Sequence, residues 1–286
     1  MRNHKVSVII SAHNEEQYIE KCIVSLFSQA LLPSEIIVID DGSSDKTWNI
    51  LYKLRNAVAK KNIIYKIYKK NHIGQSKARN YGTKRSSGDI LVFPDADMYF
   101  DKNYIDLLIK PIIDKKSIAS FTKDEHVSNT ENIWSQCWSI NSYLPFHKRM
   151  PDNTSDKTNN IRAIKRKFFF KAGGFSDVGF NNDITILDKL NLPKGSFAAH
   201  GAVCFHNNPA SLSKVFFSAR YRGRGGAEPG LENFLRYSIL NSLRRGIIDG
   251  LRYKKPQFLI FKLVFDFGFF SGLLEKKYMK KPPIWE

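Results

Sequence analysis

The apolar positions of the chain gather first into short runs bounded by turn residues. Val6 to Ser11 and Ile90 to Phe93 are apolar enough to be strands buried on both faces, and Glu35 to Asp40 and Ile63 to Tyr68 read as two more strands. Between them the period changes. After Asn14-Glu15-Glu16, the apolar positions Ile19, Ile23, Leu26 and Phe27 recur at helical spacing. The turn Asp40-Asp41-Gly42-Ser43-Ser44-Asp45 ends in helix-capping chemistry and opens a helix from Asp45 to about Lys60. A further helix starts at Gly74 to Asn80 and ends near Ser86-Ser87-Gly88. Strand, helix, strand, helix over this first third predicts an α/β fold: a mostly parallel sheet with helices on both faces. Ligands of such sheets bind at the carboxyl ends of the strands, and three polar clusters fall at three such ends: His13 to Glu16, Asp40-Asp41 and Asp95 to Asp97.

The third cluster carries the most specific chemistry. Pro94 cannot continue the ladder, so the strand Ile90 to Phe93 stops and two carboxylates, Asp95 and Asp97, follow at once. Spaced by the small Ala96, they can converge on one hard divalent cation, Mn2+ or Mg2+, leaving its other positions for water and phosphate. An Asp-x-Asp pair also occurs as a plain solvated loop, and its place at a strand end decides for the metal.

Composition sharpens the choice of partner. The 286 residues are 42% hydrophobic and 25% charged, ordinary for a globular protein, but 45 basic against 27 acidic side chains leave a net charge of +18. That excess implies an anionic partner: nucleic acid, a phosphorylated substrate or an acidic membrane surface. Cys22, Cys137 and Cys204 show no CxxC spacing, which argues against a zinc site or disulfide framework and suits a reducing compartment. The start, Met1 to Lys5, is polar and the apolar run after it is short, so no signal peptide is expected and the active site is expected to be cytoplasmic. There is no Gly-x-Gly-x-x-Gly after the first strand, no Walker lysine, and no RNA-recognition, zinc-finger or helix-turn-helix pattern.

The ordered set VSVIISAHNEE (6–16), IDDGSSD (39–45), Gly74 with Ala78-Arg79-Asn80, and Asp95-Ala96-Asp97 resembles the family 2 glycosyltransferases, inverting enzymes with the GT-A fold. The resemblance covers about residues 5–225. It implies a sheet that binds a nucleoside diphosphate sugar, most commonly a UDP-sugar in that family. Ala12, His13, Glu15 and Asp41 would line the base and ribose. Arg79 would face the diphosphate or base, and Asp95, Ala96 and Asp97 would lie at ribose and metal. Gly173-Gly174-Phe175 resembles the family's sugar-side turn, with Gly174 against the donor. The family's acidic pair after that turn stands here as Asn182-Asp183, which makes Asp183 the candidate general base; its alternative use is to cap the helix Ile184 to Leu190. His206, after an apolar strand Phe197 to Phe205, would reach the metal or diphosphate, or else be structural. Arg220, Arg222 and Arg224 stand where relatives often carry Gln-x-x-Arg-Trp and are suited to gripping a diphosphate as a loop closes; an exposed basic segment is the plain alternative.

Three segments follow: 1–115 as the nucleotide-sugar half, 116–230 as the acceptor half, and 231–286 as a basic helical extension. Glu131 to Tyr143, with Trp134 and Trp138, reads as an amphipathic helix, and Met150 to Asn160 as a polar loop that could cover the acceptor. From Leu231 onward eleven Lys or Arg face five acids, beside an apolar run Phe258 to Leu274. A bilayer span needs about 20 apolar residues, and Lys262 and Asp266 would each cost ~2.5–3.5 kcal/mol near its centre, so spanning is not expected. The segment is expected either to lie on an anionic membrane or to pack its Phe face on the domain. Within the transferase reading, Asp183 as a base makes a glycan or lipid-linked saccharide hydroxyl the expected acceptor, with a polyprenyl phosphate as the alternative. A nucleotidyltransferase, an inactive sugar-nucleotide binder and a nucleic-acid binder are the competing classes, and a nucleic-acid partner is not expected.

Overall fold

β1 (Val6–Ala12) lies inside the main sheet with nearly every side chain buried, because its apolar residues point alternately to two helical layers. The computed structural model describes residues 4–177, 184–226 and 229–278. Asp183, with Asn182, lies outside them. The first layer of the chain runs β1, α1 (Ile19–Phe27), β2 (Glu35–Asp41), α2 (Thr47–Lys53), α3 (Arg55–Ala59), β3 (Ile64–Lys70), α4 (Gln75–Thr83) and β4 (Ile90–Val92). The helix expected from Asp45 to Lys60 is two helices that meet at Leu54. Then come β5 (Met98–Phe100), α5 (Tyr104–Ile113), β6 (Ala119–Phe121), β7 (Glu125–Val127), α6 (Ile133–Asn141), β8 (Lys157–Thr158), β9 (Ala163–Lys165), α7 (Arg166–Lys171) and α8 (Ile184–Lys189). The chain continues through β10 (Ser196–Ala198), β11 (Cys204–His206), α9 (Leu212–Gly226), α10 (Leu231–Arg236), α11 (Ile239–Arg252) and α12 (Phe258–Tyr278).

Among the described residues the strands form a large sheet in the order β3-β2-β1-β4-β9-β6-β10-β8 and a small one in the order β5-β11-β7. β3, β2, β1 and β4 are parallel; β9 runs antiparallel between β4 and β6, and so joins the first half of the chain to the second in one sheet. The single strand expected over Phe197 to Phe205 is β10 in the large sheet and β11 in the small one, separated by the turn at Gly201 (φ +76°). That division carries His206 over to the acidic cluster beside β5.

Residues of opposite parity on the strands fill two cores. Val6, Val8 and Ile10 pack with α1 and α5, while Ile9, Ile37, Ile39 and Phe93 pack with Ala78, Phe169 and Phe175 on the other face. Glu35 opens β2 fully buried, yet Ser7 Oγ donates to it at 2.6 Å and Lys66 Nζ at 3.0 Å. Burial works against its charge, but these bonds prevail and hold its carboxyl below the ordinary range.

A third core is helical. Phe258, Phe261, Phe265 and Phe269 stack along α12 and close over Trp138, Val215 and Ala219. The apolar run 258–274 thus packs on the domain, and Lys262 and Asp266 form a buried pair at 2.6 Å within it. α9 and α12 cross with backbones almost touching: a Cβ on Gly272 would fall 2.1 Å from the Arg220 carbonyl oxygen, and one on Gly223 2.2 Å from that of Phe269. Gly272→Val should therefore force these helices apart at a cost of about 1–3 kcal/mol or more. The expected outcome is a lower Tm in a thermal melt; an unchanged Tm would contradict the packing.

Candidate active site

The carboxyl ends of β1, β2 and β4 open under α9 into two adjoining cavities. The first, about 310 Å3, is walled by Ala12, His13, Glu15, Asp41, His72 and Gln75, and by Phe217, Ser218 and Tyr221 of α9. The second, about 520 Å3, shares His13, Glu15, Phe217, Ser218 and Tyr221 with it and adds Asp97, Trp138, Arg149, His206 and Arg222. The five shared residues make the two one continuous cleft.

At the first end Asp41 organises the backbone. It is 2% exposed; its Oδ1 accepts from the Ile73 N–H at 2.8 Å and its Oδ2 from the Gly74 N–H at 2.9 Å, which fixes the entry to α4. Gly74 stands at φ +90°, where a side chain would be strained. His13 and His72 each donate from Nδ1 to the Asp41 carbonyl oxygen at 2.9 Å, and their rings lie 4.2 Å apart. The two rings, tilted by 38°, line the cavity together with Phe217 and Tyr221, and such aromatic surface suits a planar base.

At the other end a chain of charges runs through the interior. Arg79 donates to Asp95 Oδ1 at 2.5 Å and Arg162 to Oδ2 at 2.8 Å. Arg162 Nη2 lies 3.5 Å from Glu125, Arg149 Nε lies 2.8 Å from Glu125, and His206 Nδ1 lies 2.7 Å from Glu125. His206 Nε2 then reaches Asp97 Oδ1 at 3.1 Å. Burial disfavours the Asp95 charge, but Arg162 and Arg79 outweigh it and hold this carboxyl far below the usual range. Burial likewise opposes the Glu125 charge, and the His206 hydrogen bond and Arg162 overcome it. For His206, burial and Arg149 pull the pKa down, yet the Asp97 and Glu125 carboxylates raise it to about 9. Glu15 moves the other way: burial, and then the Asp97 charge, push its carboxyl well above the ordinary value.

These partners sort the residues singled out in the sequence. Ala12 and Asp41 stand at one end of the cleft, Asp97 and His206 at the other, and His13 and Glu15 line both cavities between them. Asp95 has both oxygens engaged by guanidinium groups, and Arg79 is the buried group that engages it. Ala96 is buried in the core beneath α1. Gly174, at φ +79°, is fixed to α4 through Asn80, which accepts from the Phe175 N–H at 3.0 Å and donates to the Phe175 carbonyl at 2.9 Å. The stretch that reads as a closing loop over 214–226 is nearly all of helix α9, so its three arginines diverge. Arg220 and Arg224, one turn apart, both pair with Glu275 of α12, and Arg222 between them lines the cleft over the Trp138 ring at 4.5 Å.

Glu125, Arg149, Arg162, His72, Phe217 and Tyr221 join the site without having been foreseen. Only helical spacing within 214–226 could have pointed to Phe217 and Tyr221 as neighbours on one face.

Among the described residues no group of three or more His, Cys, Asp or Glu side chains is arranged to hold a metal ion by itself. Asp97 and His206 nonetheless suit one. They are an oxygen and an imidazole donor meeting in the cleft at 3.1 Å, and a bound diphosphate would complete the ligand set. His206 would have to release its proton to take that part.

A largely parallel sheet with its cleft at the carboxyl edge, extended by β9 and accompanied by a small second sheet, is the GT-A architecture. The mannosyltransferase PcManGT of Pyrobaculum calidifontis, solved in complex with GDP-Man and Mn2+, superposes with a TM-score of 0.62 at 16% identity over 97% of this chain and 88% of that one. TarS 1–349 of Staphylococcus aureus, solved with UDP, superposes with a TM-score of 0.55 at 16% identity over 96% and 91%. In sequence, the glycosyltransferase GlyA of Streptococcus pneumoniae is 32% identical over 110 residues, 38% of this chain and 15% of GlyA. The poly(ribitol-phosphate) β-N-acetylglucosaminyltransferase TarS is 32% identical over 124 residues, 43% of this chain and 19% of TarS. The matched stretch is thus a small part of either relative. The family model described as Glycosyl transferase family 2 matches residues 7–171, more than half of the chain, and the chain belongs to that family.

Proposed function

We propose that the chain is an inverting glycosyltransferase that moves a sugar from a nucleoside diphosphate sugar, a UDP-sugar, to a hydroxyl of a glycan or lipid-linked saccharide. What carries this is the continuity of the cleft. An aromatic and imidazole wall at the Asp41 end suits a base, and the Asp97–His206 end of the same cleft suits phosphate and metal. UDP in TarS and GDP-Man with Mn2+ in PcManGT, proteins of the same fold, support the same assignment.

Asp183 is the proposed general base. Its carboxylate takes the proton of the acceptor hydroxyl as that oxygen bonds to the anomeric carbon, while the bond from the anomeric carbon to the diphosphate oxygen breaks and the electron pair leaves with the nucleoside diphosphate. One displacement inverts the anomeric centre, and no covalent nucleophile takes part. Mn2+ or Mg2+, held by Asp97 and His206, would supply neutralisation of charge on the departing diphosphate. Arg222, at the rim of the same cavity, would add a guanidinium to that end. Asp95, clamped between Arg79 and Arg162, is proposed to position the loop that presents Asp97.

The chain is further proposed to work at the inner face of an anionic membrane. No helix among the described residues is long and apolar enough to cross one. The support for a surface contact is α11, whose outer flank exposes Leu240 at 81% and Leu251 at 77%, beside Arg244 and Arg252.

A panel of nucleotide sugars assayed with Mn2+ tests the activity. One donor should yield its nucleoside diphosphate. Pyrophosphate release from a nucleoside triphosphate would instead identify a nucleotidyltransferase, and release of neither would leave a binder.

A further inference from the structure

The helical C-terminal part encloses another cavity, about 550 Å3, between α6, α9, α11 and α12. Arg222, Arg236, Arg245 and Lys262 line it, and no carboxylate does. The acids nearest these cations do not form its wall. Asp266 accepts from Lys262 at 2.6 Å, Asp249 lies 3.5 Å from Arg245, and Glu232 lies 3.7 Å from Arg236. Asn141, at the edge of the same cavity, has a buried side-chain oxygen with no hydrogen-bond partner, an acceptor for a ligand hydroxyl.

Two features connect this cavity with the cleft. Arg222 lines both, and Trp138, under the Arg222 guanidinium, lines the cleft side. Burial, and then the charge of Arg149, lower the Arg222 pKa to about 10, so the guanidinium sits in a positive field that an incoming anion would offset. Cations converging from three helices and the α10 end suit a tetrahedral anion with several acceptor oxygens better than a planar carboxylate, which one bidentate arginine satisfies.

We propose that this cavity is an acceptor subsite for a phosphate group, from which the rest of the acceptor reaches the cleft past Arg222 and Trp138. The acceptor role rests on the transferase reading above; the phosphate site does not.

Calorimetric titration with sn-glycerol 3-phosphate, and co-sedimentation with phosphatidylglycerol or phosphatidylcholine vesicles, test it. The wild-type chain should bind glycerol 3-phosphate. Arg236→Glu, at an exposed side chain whose replacement leaves the fold intact, should weaken binding at least about tenfold, as should Arg245→Gln, while Asp97→Ala binds as before. Vesicle binding that is specific for phosphatidylglycerol and falls in the same variants identifies a lipid headgroup as the source of the phosphate. Vesicle binding unmoved by them identifies a soluble phosphorylated acceptor. Absence of glycerol 3-phosphate binding, wild-type affinity in both cavity variants, or loss in Asp97→Ala instead would overturn the site. Phosphate binding without nucleoside diphosphate release from any donor would overturn its acceptor role alone.

Discussion

Asp97→Ala is expected to lower kcat/KM for transfer roughly a thousandfold and to abolish the response of rate to added Mn2+. Asp97 is the first charge that raises Glu15, after burial, and it is the partner of His206 at 3.1 Å. Removing it takes away one of two donors proposed for the metal and leaves His206 held by Glu125 alone. The fold should tolerate the change, because the Asp97 side chain is 26% exposed and Asp95, with its two arginines, keeps the strand end in place. The measurement is the initial rate of nucleoside diphosphate release against Mn2+ concentration, with a thermal melt of the same samples. Activity within about threefold of wild type, with the metal response intact, would remove Asp97 from the site.

Asp183→Asn should cost about 10²–10⁴ in kcat while leaving donor affinity unchanged, the signature of a group needed only as the acceptor proton moves. An amide keeps the size of the carboxylate and can still cap a helix, so a pure capping role predicts a small stability loss and normal turnover. The two outcomes are separated by measuring turnover and donor binding on one preparation. Retained turnover refutes the base.

The sheet and the half of the cleft built from β1, β2 and β4 were legible because buried parallel strands are near-continuous apolar runs and their carboxyl ends are local in sequence. His13, Asp41 and Asp97 each lie within a few residues of such a run. The rest depends on pairings that no local pattern encodes. Arg162 and Glu125 reach the site only because β9 inserts antiparallel between β4 and β6, and because β7 pairs with β11 to bring Glu125 beside His206. Helix α9 was hidden by its glycines, which suggest a loop; Gly223, like Gly268 and Gly272 on the partner helix, serves the close crossing of α9 and α12. That crossing also explains Arg220 and Arg224. A basic run in one dimension looked like a diphosphate grip, and a helix turns two of its three members away towards Glu275. The C-terminal apolar run divided in the same way: Phe258, Phe261, Phe265 and Phe269 of α12 are core, while Ile260 and Phe267 of the same helix stay exposed.

The central claim is that a nucleoside diphosphate occupies the cleft between the strand ends and α9. Ser218 of α9 lines both cavities, so Ser218→Trp should fill the passage between them. Calorimetric titration of UDP with Mn2+ into wild type and Ser218→Trp measures this directly. The account predicts binding to wild type and a loss of at least about a hundredfold in the variant, with Tm little changed. Equal affinity in the two proteins would place the nucleotide elsewhere and contradict it.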